Sequence, residues 1–443
     1  LSRTVDPRKV RWRYLRPGTG IKRWLVLIFL GQLLLATAGA LAIRMLFRDV
    51  DPDSIAGQLF GFVSLQALPL FLRPVLVLVA GGAIVLYGLW RLMNVLLEPF
   101  PARTEPLVEL VYQKRSLARG PRIVAIGGGT GLSTLLRGLK EVTSNITAVV
   151  TVADDGGSSG KLREEYGIAP VGDIRNCIAA LADAEPAMTR LLQYRFPQEA
   201  GETNGLAGHA FGNLLIAALS DIAGDFEEGV RESNRVLAVR GRVVPVTPTP
   251  LTLHAEMADG SVLDGQSTIM RTRGIHRVWV TPGDCEATSD AIAAIGSAEL
   301  IVVGPGSLYT SLLPALVVPG VAEALAATPA KRVFVCNVAT QRGETEGYTL
   351  SEHLAALNAH DVGDLFDVVV ANSNRGAKRP SDYRAEPVRI DTMDAGVPRL
   401  VIDDVVDDEN AHRHDPHKLT NVLMRLHDEA ITAVPAPAVV RSA

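Results

Sequence analysis

Three cysteines in 443 residues, Cys177, Cys285 and Cys336, stand far apart and form no C-x-x-C pair. That scarcity argues against a disulfide framework and a zinc cluster, and it suits a reduced compartment. Cations are not in excess either. Lys and Arg total 44 against 48 Asp and Glu, a net charge of −4. A general nucleic-acid binder would lack the means to neutralise phosphates. No internal repeat is found, which removes the repeat architectures. The length leaves room for about two or three units.

One local absence matters more. Trp24 to Ile43 carries no charged residue until Arg44, and the mean hydropathy of the whole chain, +0.19, is positive largely because of this N-terminal region. A helix of that length crosses about 30 Å of hydrocarbon. Before it, residues 1–23 hold Arg3, Arg8, Lys9, Arg11, Arg13, Arg16, Lys22 and Arg23 against Asp6 alone. A second apolar stretch, 57–97, is broken by Pro69, Arg73 and Pro74. Its cleanest spanning part is 75–97, with Tyr87, Trp90 and a snorkelling Arg91 toward one end. The pattern predicts a transmembrane hairpin over 24–97 with spans at 24–43 and 75–97, and an interfacial helix over 57–71. The basic flank places the N-terminus in the cytoplasm. Two spans return the chain there, so the expected location is the inner membrane, multi-pass, with the large C-terminal domain cytoplasmic. A cleaved signal peptide would need a shorter apolar core. A soluble helical hairpin would not need an uncharged run. Pro99 and Pro101 open a linker over 98–120 that includes a short amphipathic helix, and 432–443 reads as a disordered tail.

From Arg122 onward, Val- and Ile-rich runs at 123–126, 146–152, 299–303, 333–336 and 366–371 alternate with helical patterns. This predicts an α/β domain over 121–431 with a Rossmann-like, mostly parallel, doubly wound sheet. Asp259-Gly260 and Asp264-Gly265 turns mark a small β-hairpin insertion at about 242–282.

The candidate site residues cluster where strands end. Gly127, Gly128, Gly129, Thr130 and Gly131 follow the first strand and precede a helix, the arrangement that cradles a phosphate. The dinucleotide fingerprint is incomplete. Gly127 and Gly129 fit G-x-G, but the third glycine falls at Gly131 and Leu132 holds its usual place. A tight turn without a ligand is the plain alternative. After the second strand, Asp154 and Asp155 stand where an acid meets ribose hydroxyls, with Ser158, Ser159 and Lys161 beside them. The stretch is not a P-loop, because Asp155 and Leu162 occupy required positions; an Asx-turn is its bland reading.

Asp173 and Asn176 lead into an Ala-rich helix, where Asp173 also suits an N-cap. His209 and Asn213, four apart between glycines, share a helix face. Gly304, Gly306, Ser307 and Thr310 form a second strand–glycine loop–helix unit, a second anion or sugar site or a plain turn. Asn337, Thr340 and Gln341 follow the strand ending at Cys336, at the carboxyl edge where open sheets bind ligands. The run His412-Arg413-His414-Asp415-Pro416-His417 has an uncommon ligand spacing. No metal site is assigned to it, and Arg413 is the better candidate, for a phosphate or carboxylate.

The motifs GGGTG at 127–131, ADDGGSSG at 153–160, GDIRN at 172–176, GHAFGN at 208–213, GPGSLYTS at 304–311 and NVATQRGET at 337–345 occur in one order. Together they resemble the YvcK-like gluconeogenesis factor family, a branch of the CofD-like superfamily that contains 2-phospho-L-lactate transferase. The resemblance covers roughly 121–430, and the two spans are an addition to it. It implies a Rossmann-like domain that binds UDP-N-acetylglucosamine or UDP-glucose and influences bacterial cell shape, envelope synthesis and carbon use. It places Gly127–Gly131, Asp154, Asn213, the 304–311 loop and Arg413 around that UDP-sugar. No cofactor is assigned; Mg²⁺ enters only under a second reading, a phospholactyl-type transferase. A dinucleotide-dependent oxidoreductase is the third, weakened by Leu132. Expected partners are the lipid bilayer, an unidentified protein of envelope synthesis and a second copy of the chain, with no nucleic acid.

Overall fold

The computed structural model describes residues 114–433 apart from 184, 198–204, 380–384 and 392–397, together with scattered positions before residue 88. Contacts divide the chain into two units, 1–115 and 116–443. In the first, the described positions within the expected spans, Phe29, Leu33, Val79 and Leu86 among them, are helical. The remainder of 24–43 and 75–97, the basic 1–23, most of 57–71, the linker as far as 113 and the tail from 434 lie outside the described residues. Among the described residues no single helix is long and apolar enough to cross a membrane. The helix that ends the second unit runs to Ala433.

The second unit is built on seven strands: β1 (Ile123–Gly127), β2 (Ile146–Val150), β3 (Arg242–Pro245), β7 (Leu300–Val303), β8 (Lys331–Val335), β9 (Val368–Asn372) and β10 (Arg399–Asp403). They pair in the order β10-β9-β8-β7-β1-β2-β3, every pairing parallel. β1, β2 and β7 are buried along their whole length, as a sheet covered on both faces requires. The first helix, α1 (Gly129–Leu139), explains one such face. Leu132, Leu135, Leu136 and Leu139 recur at i, i+3, i+4 and i+7, and none is exposed. Each such leucine contributes roughly 2 kcal/mol by leaving water.

The chain order creates one switch point. From β1 it moves outward through β2 and β3, then returns to the other side of β1 with β7 and continues to β10. The loops after β1 and β7 therefore open side by side at the carboxyl edge. Helices α2 (Gly157–Tyr166), α3 (Gly172–Leu181), α4 (Glu185–Leu192), α5 (Phe211–Ala223) and α6 (Phe226–Val236) fill the long β2–β3 crossover.

The expected hairpin insertion is a separate antiparallel sheet of β4 (Thr252–Met257), β5 (Val262–Asp264) and β6 (Ile275–Thr281), ordered β5-β4-β6. It begins later than the sequence suggests. Residues 242–245, read as its first part, are β3 and register with Thr147–Val150 of β2. Their apolar run resembles any short strand, and only the pairing partner distinguishes the two sheets. A single turn, α7 (Gln266–Ile269), joins β5 to β6.

Candidate functional site

A cavity of about 660 Å³ lies at the switch point, within the range usual for small-molecule sites. One wall is the β1–α1 loop, Gly128 to Gly131, with Asp154 and Asp173. The adjoining wall is Gly306, Ser307, Thr310 and Ser311 after β7. Asn337, Thr340 and Gln341 after β8 form the third side, and the hairpin of β11 (Val406–Asp407) and β12 (Asn410–His414) brings Asn410, His412, Arg413 and His414. Four separate strand ends and one hairpin thus converge on one space.

Close backbone approach holds the two glycine loops together. A Cβ at Gly131 would collide with the Pro305 carbonyl, and one at Gly128 with the Asp173 carboxylate. Gly129 has φ +66°, a conformation that side chains resist. Leu132, in place of the expected third glycine, is fully buried under the loop. The helix therefore needs its glycine one residue earlier, where the second loop presses on it.

Two carboxylates share the wall of the first glycine loop. Asp154 Oδ1 accepts the Gly156 amide at 2.9 Å, and its Oδ2 lies against Gly172, whose missing Cβ makes the room. Asp173 Oδ2 is buried and has no partner. Burial, and then the Asp154 charge, push the Asp173 carboxyl up to about 7, while the Gly129 amide and Arg175 pull it back.

At the adjoining wall, Asn337 closes a two-bond clamp on Gly306, accepting its N–H at 3.1 Å and donating to its carbonyl at 2.8 Å. Gln341 Nε2 donates to Ser307 Oγ at 2.8 Å. Beneath them Glu344, 4% exposed, accepts the Thr310 hydroxyl at 2.6 Å and the Tyr309 amide at 3.3 Å. Burial raises its carboxyl above the usual range, and those donors oppose the rise. Thr340 lines the space while its Oγ1 accepts the Glu386 amide at 3.2 Å.

Several candidate residues lie elsewhere. Asp155 turns away from the cavity, and its Oδ1 accepts the Ser267 amide at 2.8 Å, fastening the antiparallel insertion. Ser158, Ser159, His209 and Asn213 are all buried in one network behind the wall. Ser158 Oγ accepts the Ala210 amide and Asn213 Nδ2, each at 3.1 Å, and meets His209 Nδ1 at 3.3 Å. Asn213 Nδ2 also reaches Ser159 Oγ at 3.3 Å. Arg175 Nη1 donates to Asn213 Oδ1 at 3.0 Å, and its Nη2 to Asn176 Oδ1 at 3.1 Å. Gly212, between His209 and Asn213, thus serves helix contact: a Cβ there would stand 2.8 Å from the Arg175 side chain. Lys161 donates to the Ala207 carbonyl at 3.3 Å. Gly127 and Gly304 shape the turns without lining the space. Within the His-Arg-His run, Arg413 is exposed at the cavity. His414 is buried, its Nε2–H donating to the Cys336 carbonyl at 3.2 Å, and burial lowers it to about 4.

The insertion contributes cavity residues that were not foreseen. Gln266 and Met270 come from α7 and its C-cap, in the insertion. Gln266 Nε2 donates to the Thr310 carbonyl at 2.9 Å. A Cβ at Gly343 would collide with the Met270 carbonyl, so the insertion also abuts the β8 loop. The one sequence signal was the Asp264-Gly265 turn that starts α7.

Sheet order, switch-point cavity and paired glycine loops define an α/β protein of the Rossmann type. Residues 123–405 match the family model described as 2-phospho-L-lactate transferase CofD. A Nostoc sp. protein named "Putative gluconeogenesis factor" is 44% identical over 442 residues, covering 97% of this chain and 95% of that one. The gluconeogenesis factor of Bacillus subtilis is 44% identical over 326 residues, covering 71% of this chain and 100% of its own length. A crystal structure of a Bacillus halodurans protein superposes with a TM-score of 0.64 at 43% identity, covering 69% of this chain and 100% of that one. The chain belongs to the CofD family and groups with its gluconeogenesis factors.

Proposed function

We propose that the protein binds a nucleotide-linked sugar, UDP-N-acetylglucosamine or UDP-glucose, in the switch-point cavity and acts as a regulator of envelope synthesis, cell shape and carbon metabolism. The observation that carries this reading is the pair of glycine loops, in backbone contact at Gly131 and Pro305, that together line one cavity. The start of α1 suits a diphosphate, Arg413 supplies a cation at the rim, and Asp154 at the end of β2 suits ribose hydroxyls. Tethering to a membrane through 24–43 and 75–97 is part of the proposal. The Nostoc relative matches through this N-terminal region, whereas the Bacillus subtilis relative matches about the length of the second unit.

Calorimetry on the full chain with UDP-sugars, GDP and NAD tests the ligand. UDP-sugar binding is expected; binding of GDP alone would sink this reading. Membrane fractionation tests the tether, which a chain found wholly in the soluble fraction would overturn.

A specific observation favours a second reading, the phospholactyl-type transferase with Mg²⁺. Asp154 and Asp173 share one wall, and Asp173 Oδ2 is an orphaned buried acceptor. Among the described residues no cluster of three or more His, Cys, Asp or Glu side chains suits a metal. Two carboxylates still fit Mg²⁺, which takes one or two from protein and the rest from phosphates and water. Asp154 and Asp173 would hold the ion, whose chemistry there is neutralisation of phosphate charge. GDP binding that depends on Mg²⁺ would favour this reading.

A further inference from the structure

The β7 and β8 loops give the cavity a wall whose hydrogen-bond polarity is set by buried groups. Glu344 is buried beneath the 307–310 turn and accepts from the Tyr309 amide and the Thr310 hydroxyl. On the same turn the Ser307 hydroxyl oxygen accepts from Gln341 Nε2 at 2.8 Å. That fixes the Gln341 carboxamide: Oε1 is the other end, and it is buried without a partner on a residue lining the cavity. Gln266 repeats the arrangement. A carbonyl only accepts, so Gln266 must offer its NH₂ to Thr310, and Oε1 is again the remaining polar atom of a cavity-lining side chain.

We infer that Gln341, with Gln266 beside it, forms an acceptor subsite that reads the hydroxyl or amide donors of the ligand's neutral, sugar-like part. Glu344 is the positioning residue, holding the turn that carries Ser307 through the Tyr309 amide and the Thr310 hydroxyl. This rests on the nucleotide-sugar reading and deepens it. A buried acceptor left unpaired costs free energy, and ligand O–H or N–H groups relieve that cost. Phosphate oxygens do not, having no proton to donate near neutral pH except on a terminal group. The cavity therefore offers two chemistries: backbone amides at α1 for the anion, and the carboxamide oxygens of Gln341 and Gln266 for the donors. It also gives the insertion a role, since α7 carries Gln266 and is held in place by Asp155 on one side and the Gly343 loop on the other.

The experiment is calorimetry on the full chain with UDP, UDP-glucose and UDP-glucose analogues in which one sugar hydroxyl is replaced by fluorine, which cannot donate. Wild type should lose affinity about tenfold for at least one analogue, the size expected for one hydrogen bond to a buried acceptor. Gln341→Met should weaken UDP-glucose by about the same factor, leave UDP unchanged, and make that analogue equal to its parent. If every fluoro analogue binds wild type like UDP-glucose, the subsite is overturned, whatever the folding of the variant. Equal losses for UDP and UDP-glucose in Gln341→Met would also overturn it, by showing a merely structural role. A wild-type chain that binds UDP but gains nothing from the sugar overturns the subsite alone. One that binds no uridine nucleotide overturns the underlying reading with it.

Discussion

Gly131 of α1 and Pro305 of the β7 loop are packed backbone to backbone, with no room for a Cβ between them. The two loops at the switch point therefore move as one piece. Gly131→Ala must push them apart, at a cost of about 1–3 kcal/mol by the usual price of overpacking. A lower melting temperature and a weaker UDP-sugar affinity are expected together. Wild-type affinity in a folded Gly131→Ala protein would show that loop contact does not shape the site.

Neighbouring acids should separate by function. Asp154 lines the cavity, while Asp155 holds the Ser267 amide. Asp154→Asn is expected to lower nucleotide affinity about tenfold with little change in melting temperature. Asp155→Ala leaves the Ser267 amide without its acceptor, and about 1–3 kcal/mol of stability should go with it. Hydrogen exchange at 265–271 should speed up in that variant and not in Asp154→Asn. The same exchange pattern in both would remove the distinction.

This pair also shows where reading a sequence stops. β1 and β7, each followed by glycines and a helix, are legible because strand, turn and helix are all local. The carboxyl-edge location of Asn337 and Gln341 follows from the same alternation. Ser158, Ser159, His209 and Asn213 look like ligand contacts for a sound reason: small and polar residues among glycines mark close approach. What approaches is another helix, and a buried polar network carries the same residue types as a binding site. Gln266 and Met270 were invisible because their place in the cavity depends on contacts more than forty residues away, through Thr310 and Gly343.

Arg413 is exposed and lies at the cavity, and among the described residues its side chain makes no hydrogen bond or ion pair that supports the fold. Arg413→Ala should therefore leave the melting temperature unchanged and reduce affinity for UDP-sugars about tenfold, the scale of one charge-assisted hydrogen bond. Affinity should also fall with salt in wild type and less so in the variant. Unchanged affinity would mean that the β12 end of the cavity does not reach the phosphates.

The Asp173 carboxyl gives the cavity a pH dependence whose sign separates the two functional readings. Its folded value is about 7 against an ordinary 3.8, so the native state binds the extra proton between those limits. Stability contributed by that proton is therefore present at low pH and lost as pH rises from about 4 through 7. Asp173→Asn, which keeps the shape without the charge, should lose this slope and be the more stable protein above pH 7. Binding follows the same electrostatics. Without Mg²⁺, an ionised Asp173 beside Asp154 repels a diphosphate at the start of α1, so wild-type affinity should weaken as pH passes 7, and Asp173→Asn should stay flat. If the pair instead holds Mg²⁺, ionisation is what creates the ion's ligand. Affinity measured with Mg²⁺ present should then strengthen over the same interval, and Asp173→Asn should abolish the gain. Calorimetry from pH 6 to 8.5, with and without the ion, reads both slopes; no slope in either condition would mean that Asp173 does not face the bound phosphate.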